Sequence, residues 1–118
     1  MSTYKKILLE SLIDEDWELI EAFDCNHDWW CDEHWLIRSV RENWGIEVMI
    51  FFLVDPMWDT PRKKGQGIWA IAATDKFPER WGEAGSRIAT LTLSKRRFNQ
   101  KLVSFLSSLN HYRRNASR

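Results

Sequence analysis

Residues 24–34 gather most of the side chains in this chain that could do chemistry. Cys25, His27, Cys31 and His34 stand there with Asp24, Asp28, Asp32 and Glu33. Each of these side chains can ligate zinc. The spacing disfavours a structural site. The cysteines are six positions apart, and no Cys-x-x-Cys knuckle supplies the tight turn such sites use. The plainer reading is a polar connector with one or two buried thiols.

The same residues could pair a thiol with a base for nucleophilic catalysis. Nearness in sequence is weak support, because such partners meet in space, and no protease-type signature surrounds either cysteine. Gly-x-Ser-x-Gly, P-loop and Gly-x-Gly-x-x-Gly motifs are all missing, and Gly65-Gln66-Gly67 alone reads as a turn. Acids are abundant but nothing singles out a pair. The expectation is a non-enzymatic protein with no cofactor and no metal. A small enzyme or metal protein built on the Cys/His connector is the alternative.

Two kinds of surface are also written in the chain. Arg62-Lys63-Lys64, Lys95-Arg96-Arg97 and Arg113-Arg114 could form a basic face, with Trp58 or Trp81 stacking on bases. Against nucleic acid stand a pI of about 6.8 and an acidic half that would repel phosphate. The second surface suits a protein. Asp28-Trp29-Trp30 lies in an acidic connector, and Met57-Trp58 lies beside Arg62-Lys63-Lys64 in a long loop. Large apolar rings next to charge are the composition of interface anchors with polar rims; rings that simply cap the ends of a sheet would look the same. Asp28, Trp29, Trp30, Trp58, Arg62, Lys63 and Lys64 are therefore the candidate binding residues. Their partner would be a protein, including the acidic half of another copy of this chain, which allows a homodimer. Small α+β domains serve as adaptors, chaperones of one client and toxin inhibitors, by analogy of architecture alone.

Composition bounds these readings. The chain has 118 residues, the size of one domain able to bury a core unaided. Eight tryptophans are more than such a domain can fully bury. Net charge is zero, yet residues 1–60 hold 14 acids and 4 bases while residues 61–118 hold 3 acids and 13 bases. Such asymmetry can mark an interaction surface; halves folded against each other would largely neutralise it. The start of the chain does not read as a signal peptide, no apolar stretch reaches the roughly 20 residues a membrane helix needs, and two cysteines define no disulfide framework. A cytoplasmic, reduced protein is expected.

The elements that must position these residues are organised around Ile46–Val54. Eight of its nine residues are apolar, and it runs from the turn Asn43-Trp44-Gly45 to Asp55-Pro56. A bounded run of this kind reads as a strand covered on both faces. His34–Arg41 alternates as a second strand, joined to the first by a short hairpin. Ile68–Thr74, with small residues that would admit a helix, and Arg87–Leu93 are further strands. Tyr4–Ile13 has helical spacing, and so does Lys95 to about Tyr112 after a Ser94 cap, with Phe98, Leu102, Phe105, Leu106 and Leu109 as its stripe. Residues 113–118 read as a frayed basic tail. Residues 17–23 fit helix and strand about equally; their Glu, Leu and Ala favour helix. The expected fold is one α+β domain. It is an antiparallel meander of four strands, or five if 17–23 pairs, with the terminal helices on one face.

Overall fold

The structure is a computed structural model that describes residues 3–24, 31–54, 68–75, 87–93 and 95–116. Helices α1 (Thr3–Asp14) and α2 (Phe98–Asn115) pack on a five-stranded antiparallel sheet. Its strands are β1 (Trp17–Asp24), β2 (Cys31–Ser39), β3 (Glu47–Val54), β4 (Ile68–Thr74) and β5 (Arg87–Thr92). They lie in sequence order, so β3 is the central strand and β1 and β5 are the edges. Among the described residues, no helix is long and apolar enough to cross a membrane.

The apolar run does what its composition requires. Val48, Ile50 and Phe52 are buried against the helices, in one core with Leu8, Leu12, Trp17, Trp35 and the α2 stripe. Phe51 and Leu53 point the other way and are buried in a second cluster with Cys31, Ala70 and Ala72. β3 is thus apolar on both faces because both are covered. Of the small β4 residues, Ala73 faces the helices, while Ala70 and Ala72 face the second cluster. The Tyr4 ring lies 4.6 Å from Phe98 at the helix starts. Asn110 in α2 donates to Glu15 just past α1. The helices therefore run side by side in the same direction.

Residues 17–23 are a strand, not the helix their composition favours. A β-bulge between Leu19 and Glu21 explains the conflict. An extra residue shifts the alternation by one, which leaves Trp17 and Leu19 in phase with the core and puts Glu21 out of phase. β2 begins at Cys31, three residues before the expected start at His34. Its first residues look like connector because a second bulge, between Cys31 and Glu33, interrupts their pattern too.

The end of the chain also differs from expectation. α2 starts at Phe98 with Arg97 in left-handed conformation (φ 57°) at its cap, and Ser94 lies outside the described residues. Lys95-Arg96-Arg97 precede the helix, so their charges do not sit within its first turn. Arg113, Arg114 and Asn115 are helical, not frayed, and Arg113 is buried. Asn43 holds this end: its Nδ2 donates to the Arg113 carbonyl at 2.6 Å and to that of Ala116 at 3.3 Å, partners for carbonyls that a helix end leaves over.

Candidate functional site

An antiparallel meander sends alternate connections to opposite ends of the sheet. Asp24, Cys31, Val54 and Ile68 consequently fall at one end, where Cys31 pairs with Leu53 and Val54 with Ile68. Segments 25–30 and 55–67 join these strand ends in sequence. Both segments lie outside the described residues, and so do Asp28, Trp29, Trp30, Trp58, Arg62, Lys63 and Lys64, as well as Cys25 and His27. The structure describes the platform from which the two segments depart.

Two bulges shape that platform, one between Cys31 and Glu33 and one between Leu53 and Val54. A bulge re-aims side chains locally, and here Asp32 and Glu33 both turn toward the helix layer. Lys5 meets them from the first turns of α1. Its Nζ donates to Asp32 Oδ2 at 2.8 Å and to Glu33 Oε1 at 2.5 Å, and lies 4.7 Å from the centre of the Phe52 ring. All three charged residues are buried. Taking charges out of water is costly, and only close, well-directed partners offset it. The triad therefore locks α1 to the start of β2.

On the opposite face His34 is stacked between two rings. Phe23 lies 4.5 Å away at 14°, and Phe51 4.9 Å away at 22°. Burial holds the His34 imidazole below its usual proton affinity, since an apolar sandwich disfavours the charged form. Cys31 Sγ donates to the Glu33 carbonyl at 3.1 Å within the second cluster. These two members of the Cys/His connector thus take part in packing. Among the described residues, no group of three or more His, Cys, Asp or Glu is placed to hold a metal ion. A surface groove of about 660 Å³ is lined by residues including Asp75, Arg87, Ser107, His111 and Tyr112, far from this end in the topology. Burial and the nearby Asp75 raise the Tyr112 hydroxyl above its usual pKa. A second groove, about 480 Å³, lies at the start of α2. Neither is lined by Lys5, Asp32, Glu33, Cys31 or His34.

Of the tryptophans, Trp17 and Trp35 are buried, while Trp44 is 57% exposed on the β2–β3 turn. The Arg38 guanidinium lies 5.5 Å from the Trp44 ring centre, and its Nη2 donates to Glu18 at 2.6 Å. Trp44 sits at the end of the sheet opposite Asp24, Cys31, Val54 and Ile68.

Sequence reasoning missed both buried cations. Lys5 precedes Leu8 and Leu12 at three- and four-residue steps; Arg113 follows Leu106 and Leu109 in the same way. A charge standing at a stripe position was the available signal. Comparison with protein-family models, with curated proteins and with solved structures finds no match.

Proposed function

We propose that this chain is a non-enzymatic protein-interaction module, working in the reducing cytoplasm. It binds through the sheet end that carries Asp28, Trp29 and Trp30 in one segment and Trp58, Arg62, Lys63 and Lys64 in the other. The observation that carries this reading is the register. Cys31 pairs with Leu53, so the two tryptophan-bearing segments depart from neighbouring strand ends. They leave a platform fixed by the Lys5–Asp32–Glu33 triad. Binding residues on connections held by a rigid scaffold are the common arrangement. Aromatic anchors ringed by charge supply most of the energy in such interfaces. The partner is an acidic protein surface, because Arg62, Lys63 and Lys64 steer association.

The test is capture of binding partners by tagged wild type and by Trp58→Ala and Trp29→Ala/Trp58→Ala variants. The single variant should lose capture with a melting temperature near that of the wild type, because it removes an anchor and not core. Reversing charge at Arg62, Lys63 and Lys64 should slow association and weaken its salt dependence. Unchanged capture by the double variant would move the site elsewhere. A gel shift of single-stranded RNA or DNA with a steep salt slope would favour nucleic acid instead.

A further inference from the structure

Among the described residues, no strand pairs with the outer edge of β1. β1 bonds β2 on one side only. From Glu18 to Phe23, no backbone bond to any other described residue forms on its outer side. An open strand edge is a row of unmet donors and acceptors that another strand can fill. The strand is held in place for this: Trp17 is buried in the core, Leu19 packs against it, and Phe23 stacks on His34. Beyond the bulge, Ile20 is 39% exposed and Glu21 and Ala22 are exposed.

Charge selects what can fill the edge. From Ile7 to Ile37 the chain has ten acids and no Lys or Arg. Arg38 reaches Glu18 and Arg41 reaches Asp16, both near the start of the strand. A second copy pairing β1 with β1 about Glu21 would set Glu21 against its twin, on the face that also carries Glu18. Like charges directly opposite are destabilising in a sheet, so the edge is guarded against its own kind. The meander also places β5, which carries Arg87, at the opposite edge of the sheet.

We infer that the β1 edge docks an extended strand of a partner protein, one that carries Lys or Arg on alternate residues. The basic side chains lie on the face of Glu18 and Glu21. The residues between them lie on the helix side, beside Leu19 and Ala22. This rests on the reading of the chain as a protein-binding module and adds the mode of docking and a second contact chemistry. Backbone bonds give the strand its affinity, and the alternating acids give it direction and selectivity.

The test uses isotope-labelled full-length protein and three synthetic peptides. One alternates Lys and Val, one alternates Glu and Val, and one is the Lys–Val peptide with alternate backbone nitrogens methylated. At concentrations up to about 1 mM, a range that detects weak binding, the Lys–Val peptide should shift the amides of residues 18–24 and slow their exchange. The Glu–Val and methylated peptides should not. Glu18→Lys/Glu21→Lys should lower affinity for the Lys–Val peptide by about tenfold or more and create affinity for the Glu–Val peptide. Trp58→Ala should leave the response unchanged, which separates this edge from the loop surface proposed above. Equal binding of the methylated peptide, shifts centred away from β1, or no shift at all would overturn the docked strand. In that case a Trp58-dependent capture would still stand as its own result.

Discussion

Arg113 lays its guanidinium over the indole of Trp17, 4.6 Å from the ring centre, and both side chains donate to Asn110 Oδ1. The arginine also donates to the Asp16 carbonyl at 3.1 Å and approaches Ser39 Oγ at 3.5 Å. One buried cation thus ties the end of α2 to the α1–β1 turn and to the end of β2. Burial, with Arg41 nearby, draws its pKa below the usual guanidinium value.

Arg113→Ala leaves the Asp16 carbonyl and Asn110 without this partner and uncovers the Trp17 face. Such losses cost about 3–5 kcal/mol when a buried charged network is broken. Arg113→Lys should recover only part of it, because an ammonium cannot bridge several acceptors in a plane. Urea unfolding of the three proteins measures both; equal stability of Lys and Arg variants would show that the fork geometry is irrelevant.

The second buried cation gives a sharper experiment. Lys5→Met should destabilise by about 3–5 kcal/mol, since it removes the cation facing two buried carboxylates. Lys5→Met/Asp32→Leu should cost less than the two single changes added together, because members of one buried network do not act independently. A double-mutant cycle with zero coupling would show that the triad is not a unit.

Much of the fold was legible before the structure. Ile46–Val54 announced itself as an interior strand, since it is the longest bounded run that is apolar at nearly every position. The stripe Phe98, Leu102, Phe105, Leu106 and Leu109 was likewise plain, and all five are buried. What failed did so at bulges and at buried charge. Ile20 adds one residue to β1, and that single insertion erased the alternation that would have revealed a strand. Asp32 and Glu33 looked like connector because acids read as solvent-facing until a lysine from a distant helix is known to meet them. Arg113 looked like tail for the same reason. The binding residues are a different case: Trp29, Trp30 and Trp58 were picked by composition, and they lie outside the described residues.

The two adjacent phenylalanines of β3 separate the two clusters. Phe52 faces the helices and meets Trp35 edge-on, with centres 4.6 Å apart; Phe51 faces the other way, beside His34. Either change to Ala should cost about 3–5 kcal/mol, as both rings are fully buried. Their effects on local exchange should differ. Phe52→Ala should loosen amides in the helices, and Phe51→Ala those of β1 and β2 around Phe23 and His34. A common pattern for the two would mean that the clusters are one.

His34 supplies the pH dependence. Its folded pKa is lowered from 6.5 by burial between Phe23 and Phe51. Well above pH 6.5 it is uncharged both folded and unfolded, so there it adds no slope. As pH falls below about 6.5, the unfolded chain takes up the proton first, and the folded state loses stability until its own lower pKa is passed. The stack should therefore weaken on mild acidification. His34→Phe keeps three aromatic rings in register and removes the proton. The variant should match the wild type at pH 8 and exceed it at about pH 5.5, a window in which the ordinary pKa values of Asp and Glu contribute little. Melting temperatures of the two proteins across this range measure the effect. Parallel curves would mean that the His34 ring is already solvated in the folded protein and that the sandwich does not exclude its charged form.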